Sequence, residues 1–78
     1  MATEKQITWL ISKINGDHEL RNSIPYYSEE KNGQTVNLTL FRLGQKLKNI
    51  TKLDEHFLIN NIQDNNLDSV KLYLAKLY

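Results

Sequence analysis

The sequence of 78 residues contains no cysteine, which excludes disulfides, thiolate metal sites and thiol nucleophiles. Its two histidines, His18 and His56, lie far apart without the spacing of a zinc motif, so we predict no metal and no cofactor. No apolar run approaches the roughly 20 residues that a membrane-spanning helix needs. The polar N-terminus is unlike a secretory signal. These absences predict a cytoplasmic protein without membrane association.

Motifs for catalysis are scarce as well. Two of the three glycines follow asparagine as turn signals, and no segment resembles a phosphate-binding loop or a nucleophile elbow. His56 beside Asp54 or Glu55 is the nearest approach to an acid–base cluster, but a histidine in the first turn of a helix is usually a surface residue. We therefore expect one non-enzymatic domain over residues 1–78 that acts by binding.

Apolar residues recur at helical spacing along most of the chain, which predicts an all-α bundle of four to five short helices. Thr3 and Gln6 match a capping box for the first helix, and Asp17 can cap a second helix at about 18–23. Asp54 is the expected cap of the next helix, and the last helix is expected to start at Asn66 or Asp68. The predicted buried positions are Ile7, Leu10, Ile11, Ile14, Leu20, Ile24, Phe57, Leu58, Ile59, Ile62, Leu67, Val70, Tyr73, Leu74 and Leu77.

The central segment, residues 37–50, has the clearest amphipathic pattern. Asn37 is a suitable N-cap. Leu40, Leu43, Leu47 and Ile50 fall on one stripe, while polar and basic side chains gather on the opposite face. From Arg42 to Lys52 the chain carries four cations and no acid, although the net charge is only +1. A local basic stripe of this kind can contact phosphates or an acidic protein surface.

The segment before this helix allows two interpretations. The first is a helix that restarts at Pro25, runs to Lys31 and meets the central helix through the Asn32-Gly33 turn, forming a helix-turn-helix-like pair. The second is an α+β fold in which a hairpin covers residues 27–41, because Asn-Gly is the strongest short hairpin signal. The helical interpretation is favoured because Glu29, Glu30 and Lys31 are poor strand formers.

A helix-turn-helix pair predicts DNA binding, with the second helix in the major groove. Arginine, glutamine and asparagine can make bidentate contacts with bases, and lysines can bind phosphates. The predicted DNA-binding residues are Arg42, Gln45, Lys46, Lys48, Asn49 and Lys52.

Residues 26–36, YYSEEKNGQTV, and 41–48, FRLGQKLK, together resemble the C-terminal winged-helix module of viral and phage primase-helicases. The resemblance implies that a helix bearing Tyr26 and Tyr27 ends at the Asn-Gly turn. It also implies that the next helix, with a Gly-x-x-Leu core at 44–47, contacts DNA. The chain departs from the family after Ile50, where two helices are predicted in place of a wing hairpin.

Several large apolar residues lie off the main stripes of their helices, which favours a different partner. Trp9, Leu38, Phe41 and Leu72 could form an interface with a host protein or with a second copy of the chain. The abundance of Asn, Ile and Lys fits an AT-rich genome, and the small size fits a phage or mobile-element protein. The sequence thus predicts a small regulatory protein that binds DNA or, alternatively, binds and inhibits or redirects a host protein.

Overall fold

A computed structural model describes residues 3–78 as five helices and one two-stranded antiparallel hairpin. The elements in chain order are α1 (Glu4–Gly16), α2 (His18–Asn22), β1 (Ser28–Lys31), β2 (Gln34–Asn37), α3 (Thr39–Lys48), α4 (Lys52–Gln63) and α5 (Leu67–Leu77). The predicted helical content is confirmed, and the hairpin makes the fold α+β rather than purely α. None of the described helices is long and apolar enough to cross a membrane.

Side-chain caps fix the starts of three helices. The capping box at α1 is present, with the Gln6 amide donating to Thr3 Oγ1 and the Thr3 amide donating to Gln6 Oε1. Asp17 caps α2 by accepting from the Leu20 amide at 3.0 Å. The predicted cap of α4 is wrong, because Thr51 has the extended backbone of an N-cap and accepts from the amide of Asp54.

The Asn32-Gly33 turn joins two strands, so the predicted helix from Pro25 to Lys31 is wrong, and with it the helix-turn-helix pair. Asn32 and Gly33 have φ values of 54° and 77°, the left-handed pair that a type I′ hairpin turn requires. The register pairs Ser28 with Asn37 and Lys31 with Gln34. Turn geometry therefore outweighs the poor strand propensity of the first strand.

The base of the hairpin is fixed by Thr39, a fully buried residue in the first turn of α3. Its hydroxyl accepts from the Tyr27 amide at 2.9 Å and donates to the Tyr27 carbonyl at 3.3 Å. The Leu38 amide also donates to that carbonyl, and Asn37 Oδ1 accepts from the Thr39 amide. Since every strand residue is exposed, these bonds rather than a buried sheet face hold the hairpin in place.

The core lies between the helices, with Leu20 contributed by α2, and most of the predicted apolar stripes are confirmed. The residues with no exposed surface are Leu10, Ile14, Leu43, Leu47, Leu58, Val70 and Leu74. Helices α1 and α3 approach closely, because a Cβ added at Gly44 would lie 3.2 Å from Ile11 Cδ1. Phe57 is the main exception to the predicted core, with 40% of its surface exposed.

Glu55 is the one charged residue in the described core, and its exposed fraction is only 1%. Neither of its carboxylate oxygens has a hydrogen-bond partner within residues 3–78. Burial of an unpartnered polar group costs free energy, so Glu55 is a local weakness in the packing of α4.

We expect Thr39→Val to lower the free energy of unfolding by about 1–3 kcal/mol, because the Tyr27 amide loses its acceptor while the side-chain volume is retained. Urea unfolding followed by circular dichroism measures the change. Thr35→Val, at an exposed position of β2, is the matched control and should stay within about 0.5 kcal/mol of wild type. Equal effects from both substitutions would contradict the anchoring role of Thr39.

We expect Glu55→Met to raise the free energy of unfolding by about 1–3 kcal/mol, because it removes an unpartnered carboxylate and keeps an unbranched side chain of similar length. The same substitution at the exposed Glu30 controls for a general gain from added hydrophobicity. A loss of stability in Glu55→Met would show that the Glu55 carboxylate has a favourable interaction in solution.

Candidate nucleic-acid interface on helix α3

Helix α3 turns its leucines inward and its polar side chains outward. Leu43 and Leu47 have no exposed surface. The residues predicted to bind DNA all lie at the surface; they are Arg42, Gln45, Lys46, Lys48 and Asn49 on or directly after α3, and Lys52 at the first position of α4. We refer to these six residues as the α3 face. Their DNA-binding role stays a prediction.

Four residues of the α3 face line one groove. Arg42, Gln45, Lys46 and Asn49 meet Ile50 and the α5 residue Leu77 around a volume of about 460 Å³. Lys48 instead lines a groove of about 240 Å³ between α1 and α3. The structure therefore brings together three residue types suited to base contacts and one lysine suited to a phosphate contact.

Two tyrosines support the cations of this groove. The Arg42 Cζ atom lies 4.6 Å from the ring centroid of Tyr27, and Lys46 Nζ lies 5.4 Å from that of Tyr78. The two rings are 6.0 Å apart with planes inclined by 31°. Tyr27 precedes the hairpin and Tyr78 follows α5, so three distant parts of the chain meet here. Such contacts are cation–π interactions and restrain long, flexible side chains.

The electrostatics of the groove also involve Tyr78. Burial raises the pKa of the Tyr78 phenol, and the nearby Tyr27 raises it further, whereas the positive charge of Arg42 lowers it. The Tyr78 hydroxyl oxygen is buried without a hydrogen-bond partner among the described residues. The Tyr78 ring beneath Lys46 is therefore uncharged at neutral pH.

The sequence did not reveal the tyrosines as part of this site. Tyr27 and Tyr78 are far apart along the chain, and no spacing relates them to α3. The resemblance to the primase-helicase module included Tyr27 on a helix, but the structure gives Tyr27 no helical conformation. The resemblance implies a wing hairpin after the DNA-contacting helix, whereas the hairpin of this chain lies before α3. The first strand of this hairpin carries two acids, Glu29 and Glu30.

The four predicted protein-interface residues differ in exposure, and three of them line different depressions. Phe41 and Leu72 are exposed by 62% and 68%, whereas Trp9 and Leu38 are partly buried. Trp9 packs against the core and lines a cavity of about 470 Å³ with residues of α1 and of the α4–α5 loop. Phe41 lines the α1–α3 groove, and Leu72 lines a depression beside α4. Their role in a protein interface stays a prediction.

The fold and the exposed site define a small α+β domain that presents a basic helix. No family of proteins, no curated protein and no solved structure was found to match this chain. The resemblance to primase-helicase modules consequently stays a prediction. Within residues 3–78, no group of three His, Asp or Glu side chains is placed to hold a metal ion.

We expect Arg42→Gln to raise the pKa of Tyr78 further, because the substitution removes the cation that stabilises the phenolate. Titration of the tyrosine ring resonances by NMR resolves Tyr78 from the other three tyrosines. Arg21→Gln on α2 is the control and should leave the Tyr78 titration unchanged. An unchanged Tyr78 pKa in Arg42→Gln would show that the guanidinium does not occupy this position in solution.

Proposed function

We propose that this protein is a small regulatory protein that binds DNA through the α3 face. The observation that carries the proposal is the convergence of Arg42, Gln45, Lys46 and Asn49 on one groove, within a segment that has four cations and no acid. DNA presents a continuous row of phosphates, and local positive charge supplies much of the affinity of DNA-binding proteins. A protein of low net charge can bind DNA in this way when its cations are clustered in one region of the surface.

The side chains divide by chemistry into two roles. Lys46, Lys48 and Lys52 are point charges suited to phosphate oxygens. The Arg42 Cζ atom lies 4.6 Å from the Tyr27 ring centroid, and an aromatic contact leaves the N–H donors of a guanidinium available for a guanine or a phosphate. Arginine held in this way loses less conformational entropy on binding.

Gln45 and Asn49 provide the amides that could distinguish bases. The Asn49 side-chain amide donates to the Gln45 backbone carbonyl at 3.3 Å, which leaves the Asn49 side-chain oxygen as an acceptor. The ten residues of α3 make a helix about 15 Å long. The major groove of DNA, about 12 Å wide, admits an α-helix, whose diameter with side chains is about 10–12 Å. This mode of binding does not require a preceding helix.

A second candidate function is binding to a host protein, and the exposure of Phe41 favours it. Phe41 is 62% exposed beside the groove of α1 and α3, where Lys48 also lies. Large exposed aromatic residues often mark protein interfaces. An apolar interface centred on Phe41 would respond weakly to salt, whereas release of counterions from DNA makes affinity fall steeply as salt rises.

We expect the double substitution Lys46→Glu with Lys48→Glu to weaken binding to duplex DNA by at least about tenfold and to reduce the salt slope by about 2, because two phosphate contacts are lost. Fluorescence anisotropy with a labelled duplex at several salt concentrations measures both quantities. Unchanged affinity and slope would overturn the proposed DNA-binding role.

The control is Lys5→Glu with Lys13→Glu, two exposed α1 positions that give the same change in net charge. If only total charge matters, both variants lose the same affinity; if the α3 face binds, the control retains most of it. Phe41→Ala completes the design. It should leave DNA affinity within about threefold of wild type, since the ring contributes no charge.

A further inference from the structure

An exposed apolar surface lies on the helix pair α4 and α5, outside the α3 face. Leu53 and Leu72 are exposed by 79% and 68%, and Phe57 by 40%. The Phe57 ring packs against Tyr73, with centroids 5.9 Å apart and planes inclined by 42°. We call Leu53, Phe57, Leu72 and Tyr73 the α4–α5 patch. Large apolar side chains grouped together on an exposed surface often mark an interaction site.

The patch is continuous across both helices. A depression of about 490 Å³ is lined by Leu53, Phe57 and Tyr73, and one of about 190 Å³ is lined by Leu72 together with the same two rings. Because Phe57 and Tyr73 border both depressions, the ring pair forms a ridge between two shallow hollows. That shape can receive large side chains on either side of the ridge.

Polar contacts hold the patch in a fixed form. The Tyr73 hydroxyl donates to Asp54 Oδ2 at 3.0 Å, joining α5 to α4. Burial and this hydrogen bond raise the pKa of Tyr73 to about 12, so the contact persists at neutral pH. Lys71 Nζ contacts Glu19 at 3.1 Å and Asp68 at 3.2 Å, which joins α5 to α2. A surface that is ordered before binding loses less entropy when a partner docks.

On the exposed side of α5, charges of opposite sign lie at the two ends of the patch, while Asp54 is bonded to Tyr73 and Lys71 contacts Glu19 and Asp68. Asp68, Leu72 and Lys76 follow one another at four-residue intervals on the exposed side of α5. At a rise of about 1.5 Å per residue, each charge lies about 6 Å along the axis from Leu72. Lys52 is the first residue of α4 and lies at the same end of the helix pair as Lys76. Asp64 follows the last residue of α4, at the opposite end of the pair.

We propose that the occupant of the α4–α5 patch is a second copy of this chain, related by a two-fold axis close to Leu72 with the two α5 helices antiparallel. This arrangement places Leu72 against the partner's Leu72, and Asp68 against the partner's Lys76. The symmetry repeats the same ion pair on the other side of the axis. Asp68 already contacts Lys71 through Oδ1, and a carboxylate can accept from a second cation.

Charge complementarity favours a second copy over an unrelated partner. A partner surface with one sign of charge would meet repulsion at one end of the patch, whereas the antiparallel copy meets attraction at both ends. The apolar centre supplies affinity, and the ion pairs fix the relative direction of the helices. The proposed dimer does not rest on the function proposed for the α3 face, although Lys52 belongs to that face and also lies at one end of the patch.

Sedimentation equilibrium over a concentration series from about 1 µM to 1 mM tests the proposal, since that range covers weak and moderate dimers. We expect a reversible monomer–dimer equilibrium whose dissociation constant rises on the order of 100-fold in Leu72→Glu, because a charge replaces the central apolar contact. A monomer throughout that range, or a dimer that Leu72→Glu leaves unchanged, would overturn the proposal. Circular dichroism should show the wild-type fold in Leu72→Glu, because Leu72 is exposed.

Charge reversal tests the antiparallel direction. Asp68→Lys and Lys76→Asp should each weaken the homodimer by about tenfold, since each replaces two attractive pairs by two repulsive ones. Mixing the two single variants should restore a heterodimer, because every facing pair then has opposite signs. The double variant Asp68→Lys with Lys76→Asp should restore the homodimer within about threefold of wild type. Failure of both restorations, with the single variants folded, would contradict the proposed geometry.

Discussion

The placement of the β-hairpin beside α3 depends on the hydroxyl group of Thr39. This buried hydroxyl binds both the amide and the carbonyl of Tyr27, and so joins the start of β1 to the first turn of α3. An isolated two-stranded hairpin is marginally stable in water, and the strands here bury no side chains of their own. The bonds to Thr39 therefore position the hairpin and, with it, the Tyr27 ring.

The position of Tyr27 in turn shapes the α3 face. Its ring lies beneath the Arg42 guanidinium, and the adjacent Tyr78 ring lies beneath Lys46. Aromatic support of this kind gives two long cations a preferred direction without neutralising their charge. Acidic partners would hold the two cations equally well, but they would cancel the positive potential that a phosphate ligand requires.

The two proposed surfaces would bind their ligands through different interactions. The α3 face is polar and basic, and its proposed ligand is recognised by phosphates and base edges. The α4–α5 patch is apolar at its centre with opposite charges at its ends, so its proposed ligand is the patch itself. If both proposals hold, each dimer would carry two α3 faces. A domain of this size buries a modest share of its surface, so dimerisation would also stabilise it.

Local sequence determined most of the helices, since the capping box at Thr3, the Asp17 cap and the apolar stripe of Leu43 and Leu47 act over one or two turns of helix. It also contained the hairpin signal at Asn32-Gly33. That signal was outweighed in the prediction by strand propensity, which is weak and depends on context. The exposure of the α3 face and of Leu72 could be predicted for the same reason, because each follows from helical periodicity.

Tertiary structure alone decided the rest. The support of Arg42 and Lys46 by two distant tyrosines, the burial of Glu55 and the partial burial of Trp9 all depend on contacts between segments far apart in the chain. Periodicity describes which side of a helix is apolar, but it carries no information about which other element covers that side. For this reason the sequence predicted a helix with a basic side that faces outward. Only the folded structure showed which residues surround that side.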